Sequence, residues 1–417
     1  MNMNEKIQDI AKQSRAAAVA MLAASASDRK QALYAIADNI ETYSEKISTA
    51  NQVDLDNGKK NSLSPALLDR LALTPERIQL MVQGVRQVAE QPDPIGSIRE
   101  LSTQHRGFKV GKMRTPIGVI GIVYESRPNV TVDAAAICLK SGNACILRGG
   151  SEAFQTNLVL IKLIQSALET TNIDTNIIQF INTTDREAVT AMLGAVGLID
   201  VMIPRGGKGL VKLISEKAKI PVIKHLDGIC HVYIDEYADN DIAVNVAFNA
   251  KTYRYGICGA METLLIHEAK IDDILPKLIK KFNDKDVELV ACESIATKFN
   301  LALATEEDWA TEYLDAKLSI KAIANLDEAI THINHYGSHH TDSIITDNLT
   351  HKNRFFALVD SSSVMLNTAT CFADGFEYGL GAEIGISTDK LHVRGPVGVE
   401  GLTTEKFIIL GNGETRS

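Results

Sequence analysis

Apolar side chains recur at helical spacing through the first hundred residues. Positions three and four apart form one stripe, at Leu33, Ile36, Ala37, Ile40, Tyr43 and Ile47, which predicts a single amphipathic helix. Ser64-Pro65 and Thr74-Pro75 each place a capping side chain before a proline at the first helical position. The N-terminal region is therefore expected to be helical.

The apolar pattern changes after residue 116. Residues 117–124 form a continuous apolar run of strand length, as expected for a strand that is buried on both faces. A helical pattern follows at 130–139, and Gly142 is placed to end it. A capping box, Thr184-x-x-Glu187, predicts the start of a later helix. Further strands are expected at 144–147, 177–181, 200–203, 231–235, 262–266 and 404–410.

Strands and helices that alternate in this way predict an α/β fold with a parallel, doubly wound sheet. The 417 residues exceed the size of one simple core, so two or three domains are expected. Few breaks resemble flexible linkers, and there is no repeat or low-complexity tract. The domains are therefore expected to interlock.

Composition excludes several classes of function. The net charge of −9 argues against a nucleic-acid-binding surface, which needs clustered positive charge. No apolar run approaches the ~20 residues that a membrane span requires, and the polar N-terminus does not resemble a secretory signal. Six cysteines are scattered singly, which favours free thiols in the cytoplasm and predicts no metal site.

Cys258 is the strongest candidate for a reactive residue. Gly256 and Gly259 flank it closely, so the backbone can turn tightly and another molecule can approach. A predicted strand follows at once, and a thiolate held at a strand end is well placed to attack a carbonyl. A small buried residue in a turn remains an equal alternative. Cys138 and Cys145 lie in apolar stretches typical of a cysteine that packs as a small hydrophobe.

Two glycine turns are candidate phosphate sites. Residues 148–152 (Arg-Gly-Gly-Ser-Glu) and 205–209 (Arg-Gly-Gly-Lys-Gly) both lie between a predicted strand and a predicted helix. A helix N-terminus combined with basic groups favours phosphate, although strand–helix loops also use glycine for geometry alone. The standard dinucleotide fingerprint is absent, because Ile384 stands where its third glycine should be. Together the turns favour a nucleotide.

Motifs along nearly the whole chain identify a family. They lie at 114–129, 142–150, 203–207, 230–235, 249–252, Cys258 with 261–265, 379–383 and 390–396. In sequence and order these stretches resemble the γ-glutamyl phosphate reductases (glutamate-5-semialdehyde dehydrogenases) of proline biosynthesis, a branch of the aldehyde dehydrogenase superfamily. The chain departs from the family pattern locally at Tyr255 and Gly259.

The resemblance implies an activity and a mechanism. It implies NADPH-dependent, reversible reduction of L-glutamyl 5-phosphate to L-glutamate 5-semialdehyde and phosphate, with Cys258 forming a thioacyl intermediate. Asn129 matches the superfamily asparagine that holds the developing oxyanion, a role typically worth ~10²–10³ in rate; a helix cap after Pro128 is the alternative. Hydrolytic relatives carry a water-activating glutamate where this chain has His225, which fits phosphate release.

The resemblance also implies binding residues. For NADP(H), Arg148, Ser151 and Glu152 would lie near the adenine ribose, where an arginine suits a 2′-phosphate. Gly206 and Gly207 would lie near the pyrophosphate, and Glu312 would bind the nicotinamide ribose. Arg127 and Arg394 are candidates for the substrate phosphate and α-carboxylate, with an ion pair at a domain boundary as the alternative.

The architecture implied is a cofactor-binding domain at 1–229, a catalytic domain at 230–403, and a small oligomerisation element. The hairpin 105–116 and the terminal segment 404–417 would form that element, pairing across subunits. A homo-oligomer is therefore expected, with the upstream glutamate kinase as a candidate protein partner. Two other hypotheses remain: a hydrolytic NAD(P)-dependent aldehyde dehydrogenase, and an inactive nucleotide-binding paralogue.

Overall fold

The N-terminal region is helical in the computed structural model, which describes residues 2–416. Its helices are α1 (Met3–Met21), α2 (Ala26–Thr42), α3 (Ser44–Lys60), α4 (Pro65–Leu71) and α5 (Pro75–Glu90). Ser64 and Thr74 cap α4 and α5 as predicted, each side chain accepting a backbone N–H at 3.3 Å. No helix within residues 2–416 combines the length and apolar character that crossing a membrane requires.

The stripe from Leu33 to Ile47 belongs to two helices, so the prediction of one helix was wrong. The break falls at Tyr43, between α2 and α3. Ile40 and Ile47 are fully buried, whereas Tyr43 is exposed. Each helix buries an apolar face, so the apolar spacing of the sequence continues across the break although the helix does not.

A parallel sheet follows the helices. The elements are β1 (Ile98–Thr103), β2 (Lys109–Pro116), β3 (Val119–Tyr124), α6 (Asn129–Lys140), β4 (Ala144–Gly149), α7 (Phe154–Leu168), β5 (Ile178–Phe180), α8 (Glu187–Leu193), β6 (Val201–Arg205) and α9 (Lys208–Lys217). Strands β5-β4-β3-β6 pair in that order, all parallel. Every residue of β3 and β4 is buried, as expected for strands covered on both faces. The predicted α/β fold is confirmed.

The predicted capping box at Thr184 is wrong. Helix α8 begins only at Glu187, with Arg186 at the capping position and no side-chain cap. The Thr184 carbonyl instead accepts a hydrogen bond from the Arg148 guanidinium at 2.9 Å. Asp185, rather than Thr184, accepts the Glu187 N–H, at 2.9 Å. Residue 184 therefore stays in the loop, where the distant Arg148 side chain binds it.

A second parallel sheet occupies the rest of the chain. Its elements are β7 (Cys230–Ile234), α10 (Asn240–Thr252), β8 (Met261–His267), α11 (Ile271–Asn283), β9 (Glu288–Ala291), α12 (Glu293–Phe299), β10 (Ala302–Leu303), α13 (Glu306–Trp309), β11 (Lys317–Ile323), α14 (Leu326–Tyr336), β12 (Thr341–Ile345), α15 (Leu349–Leu358) and β13 (Ser363–Leu366). The strand order is β10-β9-β11-β8-β7-β12-β13. A short antiparallel pair, β14 (Ile386–Ser387) and β15 (Gly395–Pro396), follows.

The last strand, β16 (Thr403–Leu410), returns to the N-terminal part of the chain. It pairs antiparallel with β2 along its whole length, and β1 pairs with the other edge of β2. Asn143 reinforces this return, since its side chain donates to the Leu402 carbonyl and accepts from the Gly118 N–H, at 2.8 and 2.7 Å. The hairpin therefore starts at Ile98, earlier than the expected residue 105.

The chain divides into two compact units. The first comprises residues 1–224, 379–385 and 397–417, and the second comprises 225–378 and 386–396. The predicted boundary at 229/230 falls five residues later than this division. Residues 379–385 and 397–403 pack with the first unit rather than with the range 230–403 to which the sequence analysis assigned them.

Candidate active site

Cys258 lies in the second unit, on the loop between α10 and β8. Its thiol is half-buried, whereas Cys138, Cys145 and Cys230 are buried. All six cysteines are free thiols. Burial raises the pKa of the Cys145 and Cys230 thiols well above the ordinary range, which keeps them protonated and unreactive. Accessibility therefore separates Cys258 from the cysteines of the sheets.

The backbone at Cys258 is held by close packing on both sides. A Cβ on Gly228 would lie 2.1 Å from the Cys258 carbonyl oxygen, and one on Gly259 would lie 3.1 Å from the Thr370 carbonyl. The Cys230 thiol donates a hydrogen bond to the Cys258 carbonyl at 3.1 Å. Glycine is needed at 228 because only a residue without a side chain permits this approach. The thiol thus projects from a fixed loop.

A buried ion pair lies beneath this loop. Lys251 at the end of α10 and Glu262 at the start of β8 are both fully buried, with Nζ and Oε2 2.5 Å apart. Glu262 also accepts the Leu314 N–H at 3.2 Å. Burial raises the pKa of Glu262 to about 7 despite the lysine and lowers the pKa of Lys251. The pair joins the two elements that bracket the cysteine.

Two imidazoles approach the thiol, and sequence reasoning missed both as ligands or partners of Cys258. His225, Cys258 and His340 each present one nitrogen or sulfur atom, and these atoms all lie within 4.8 Å of one another. The two rings meet edge to face with centroids 5.5 Å apart. His225 had been noted only as the position without a glutamate. The sequence gives no signal for this cluster, because its members lie on three segments far apart along the chain.

Glu312 and Arg394, the other predicted site residues of the second unit, both have protein partners. The Glu312 carboxylate accepts the Gly228 N–H at 2.9 Å, so Gly228 connects Glu312 with the backbone of Cys258. Arg394 forms an ion pair with Asp360, with Nη2 and Oδ1 2.9 Å apart, and Lys390 pairs with the same carboxylate at 2.7 Å. The ion pair considered for Arg394 is therefore present, within one unit.

In the first unit, Asn129 is the first residue of α6 and does not cap it. Pro128 occupies the capping position and makes no side-chain cap. The Asn129 amide donates to Asp133 Oδ2 at 2.8 Å, one turn along the helix. Burial raises the pKa of Asp133 to about 6, against the opposing effect of Asn129 and Arg205. Asp133 therefore orients the Asn129 amide and leaves its second N–H to donate elsewhere.

The first glycine turn places Arg148 differently from expectation. Arg148 is the next-to-last residue of β4 and is only 8% exposed, with its guanidinium bound to the Thr184 carbonyl. Burial lowers its pKa. Ser151 is exposed at the start of the following helical turn, and a Cβ on Gly150 would meet the Glu152 carboxylate at 2.3 Å. Ser151 thus faces solvent, Glu152 is partly buried, and Arg148 is almost completely buried.

The second glycine turn joins β6 to α9 and holds an acid that sequence reasoning overlooked. The Gly207 N–H donates to Glu125 Oε2 at 2.8 Å, and a Cβ on Gly206 would lie 2.4 Å from the same oxygen. Glu125 therefore lies against the positive end of α9, where an anion is stabilised. Arg127 is two residues further and is exposed.

Comparisons with known proteins show the family to which this chain belongs. Residues 2–290 match the sequence model of the Aldehyde dehydrogenase family. A γ-glutamyl phosphate reductase from Thermotoga maritima is 39% identical, with a TM-score of 0.96 over 99% of this chain and 100% of that chain. One from Saccharomyces cerevisiae is 31% identical, with a TM-score of 0.56 over 99% of this chain and 98% of that chain.

A more distant likeness concerns the fold alone. An engineered glycolyl-CoA reductase with bound NADP⁺ is 16% identical, with a TM-score of 0.68 over 96% of each chain. The family sequence model covers well over half of the chain, and the two reductases cover nearly all of it. The resemblance drawn from the motifs is therefore confirmed, and this chain belongs to the aldehyde dehydrogenase family.

Proposed function

We propose that this enzyme reduces L-glutamyl 5-phosphate to L-glutamate 5-semialdehyde with NADPH, releasing phosphate. One observation carries the proposal: a half-exposed Cys258 thiol stands on a rigidly packed loop in a chain that is 39% identical throughout to a γ-glutamyl phosphate reductase. A thiolate is the nucleophile this chemistry needs, since it forms a thioester that is easily reduced.

The first half of the reaction is acyl transfer to sulfur. The Cys258 thiolate attacks the γ-carbonyl carbon, a C–S bond forms, and the bond between that carbon and the phosphate oxygen breaks. Phosphate leaves with the electron pair, and the acyl group stays on Cys258 as a thioester. The Asn129 amide supplies the hydrogen bond that stabilises the negative oxygen of the tetrahedral intermediate, with Asp133 keeping the amide oriented.

The second half is reduction of the thioester. NADPH supplies a hydride to the acyl carbon when it is bound. The resulting thiohemiacetal on Cys258 then collapses: its C–S bond breaks, the aldehyde forms, and the thiolate is released for the next cycle. The same oxygen carries negative charge in both halves, so one set of donors serves twice.

Residue 225 favours phosphate release over hydrolysis. Hydrolytic family members use a glutamate to activate water, and this chain has His225, whose Nδ1 lies 3.0 Å from the Ile386 carbonyl. That contact orients the ring toward a fixed backbone acceptor. A thioester without a carboxylate base beside it survives long enough to be reduced, so hydrolytic aldehyde oxidation is the weaker candidate.

The residues of the first unit fit a nucleotide phosphate. Helix α9 begins at a glycine turn without a side-chain cap, and the Gly207 N–H already binds a carboxylate, Glu125. A phosphate also carries negative charge and accepts hydrogen bonds from the same donors. We propose that Gly206 and Gly207 bind the pyrophosphate, that Ser151 and Glu152 lie by the adenine ribose with Arg148 positioned behind them, and that Glu312 binds the nicotinamide ribose.

For the substrate, we propose that Arg127 and Arg394 bind the phosphate and the α-carboxylate. Arg127 is exposed to solvent, and Arg394 would exchange part of its contact with Asp360 for a substrate anion. We further propose that the first unit is the cofactor domain and the second the catalytic domain. A cytoplasmic homo-oligomer, working after a glutamate kinase, completes the proposal.

The decisive experiment compares the reverse reaction with and without phosphate. Purified enzyme should reduce NADP⁺ with glutamate 5-semialdehyde only when phosphate is present, and Cys258→Ala should abolish turnover. Cys371→Ala is the matched control and should retain activity, because this half-buried thiol donates to the Asn249 amide oxygen and has no part in the proposed reaction. NADP⁺ reduction without phosphate would identify a hydrolytic enzyme, and turnover by Cys258→Ala would refute the nucleophile.

A further inference from the structure

The Cys258 sulfur and one nitrogen from each of two imidazoles form a cluster of three atoms of the kinds that zinc prefers. The ligand atoms of His225, Cys258 and His340 all lie within 4.8 Å of one another. In tetrahedral zinc sites, bond lengths of about 2.0–2.3 Å place the ligand atoms roughly 3.3–3.8 Å apart. Contraction by at most about 1–1.5 Å between any pair would therefore complete the geometry, a change that side-chain rotation can provide.

Both imidazoles are oriented by contacts at their Nδ1 atoms. His225 Nδ1 lies 3.0 Å from the Ile386 carbonyl, and since a carbonyl can only accept, Nδ1 carries the proton and Nε2 carries the lone pair. His340 Nδ1 lies 3.0 Å from Thr341 Oγ1 and 3.6 Å from the Cys230 sulfur. Outer contacts of this kind fix the ring that ligates a metal, and the carbonyl contact leaves Nε2 as the ligand atom of His225.

The donor set selects the type of ion. Two imidazole nitrogens and one thiolate suit a borderline-soft ion such as Zn²⁺, whereas Mg²⁺ and Ca²⁺ need oxygen ligands. His225 and Cys258 are half-exposed and His340 is buried, so an ion can enter from solvent while one ligand is held rigidly. Three protein ligands leave a fourth position for water.

We infer that His225, Cys258 and His340 form a Zn²⁺ site, and that the bound ion blocks catalysis by coordinating the sulfur needed for attack. On binding, the S–H bond of Cys258 breaks, the proton passes to solvent and a Zn–S bond forms. The ion neutralises the negative charge of the thiolate and binds the sulfur electron pair that would attack the acyl carbon. Metal binding stands on these contacts alone; the inhibition rests on the proposed function.

The test uses full-length, metal-free protein titrated with Zn²⁺ against a chromophoric chelator. One Zn²⁺ should bind per chain, and Cys258→Ser and His225→Asn should each weaken binding by at least about tenfold. Co²⁺ should give a thiolate-to-metal absorption band that Cys258→Ser removes. These two positions are chosen because they are half-exposed, so their substitution spares the buried packing around His340.

The matched controls come from the other potential ligand cluster and from a neighbouring thiol. Asp235, Glu236 and His351 form the second cluster, but Asp235 is already bound by Thr346 and His351, at 2.7 and 3.0 Å. Glu236→Gln and Cys371→Ala should therefore leave Zn²⁺ affinity and activity unchanged. Zn²⁺ should also inhibit phosphate-dependent NADP⁺ reduction by the wild type, reversibly with chelator.

The outcomes separate the two proposals. Stoichiometric Zn²⁺ binding that is unaffected by Cys258→Ser and His225→Asn, or lost in Glu236→Gln, would overturn the assigned site, as would no binding at all. Ligand-dependent binding to a protein that lacks reductase activity would support the site and refute the proposed function. Binding without inhibition would overturn the blocking role.

Discussion

Asn129 and Asp133 illustrate how a single turn of helix prepares a hydrogen-bond donor. The residues are four apart on α6, so their side chains share one face. The amide N–H donates to the carboxylate at 2.8 Å, which fixes the rotation of the amide group. An oriented donor needs no reorganisation when charge develops on substrate, which is the property the proposed oxyanion role requires.

The pKa of Asp133 leads to a pH-dependent effect on stability. Burial raises it from the ordinary 3.8 to about 6, so the folded protein holds this proton over a pH range where the unfolded chain has lost it. The free energy of unfolding should therefore fall as pH rises from about 4 to 6, by up to about 3 kcal/mol from this group. Asp133→Asn should remove this component.

Urea denaturation of the wild type and Asp133→Asn at two pH values measures the effect. At pH 7 the variant should be more stable, and at about pH 3.5 the two should match. A variant that is destabilised by the same amount at both pH values would show that the carboxylate acts through packing, and that its ionisation is not penalised by burial.

The loop that carries Cys258 depends on the two elements beside it. Lys251 is the next-to-last residue of α10 and Glu262 is the second residue of β8, and both are fully buried. Removing one partner of a buried pair leaves an uncompensated charge and typically costs about 3–5 kcal/mol. Lys251→Met should lower the free energy of unfolding by this amount, and Lys251→Met/Glu262→Leu should recover much of it.

An exposed pair provides the control for this prediction. Lys298 on α12 pairs with Asp272 on α11, and both side chains are about half exposed or more. Exposed ion pairs contribute about 0–1 kcal/mol, so Lys298→Met should change unfolding little. Equal losses from Lys251→Met and Lys298→Met in chemical denaturation would contradict the role given to the buried pair.

Glu125 at the start of α9 leads to a prediction for cofactor affinity. Its carboxylate takes the Gly207 N–H that the proposal assigns to a phosphate, so the two anions compete for the positive end of the helix. Charge at a helix terminus is worth about 0.3–1 kcal/mol. Glu125→Gln should therefore tighten NADPH binding about two- to fivefold, measured by fluorescence titration.

The control for Glu125 lies at the opposite end of the same helix. Glu216 is an exposed acid in the last turn of α9, where Lys212 is 4.0 Å away. Glu216→Gln makes the same change in charge far from the turn and should leave NADPH affinity unaltered. Weaker binding by Glu125→Gln would mean that this side chain serves the nucleotide directly.

The three-stranded sheet β1-β2-β16 joins the C-terminal strand β16 to the hairpin β1-β2, and β1 and β16 are its edge strands. Every residue of β1 is exposed, and Phe407 and Ile409 on β16 are 69% and 66% exposed. Apolar side chains on an open edge strand mark a surface that pairs with another chain. This sheet is therefore the interface we propose for oligomerisation.

Charge on that surface should prevent assembly. Phe407→Glu/Ile409→Glu places two carboxylates among the exposed apolar side chains, so we expect a monomer by light scattering coupled to gel filtration, where the wild type forms an oligomer. Lys406→Glu alters charge on the alternate face of the same strand and should leave the oligomer intact. An unchanged mass in the double variant would move the interface elsewhere.

The sequence determined most of the elements and indicated the proposed nucleophile because both depend on local chemistry. Unbroken apolar runs predict buried strands such as β3 and β4, and the caps at Ser64 and Thr74 depend only on neighbouring residues. Motifs spread over nearly the whole chain identified the family. Cys258 was recognisable from its flanking glycines and from those motifs.

Tertiary structure decided what depends on distant partners. The Arg148 guanidinium on β4 donates to the Thr184 carbonyl, where the sequence had predicted a capping box. Glu125 accepts the N–H of Gly207. The histidines beside Cys258 meet only because β7, β12 and the segment after β13 bring remote parts of the chain together. No local pattern encodes such contacts, since each group contributes to the site only through the position that the folded backbone gives it.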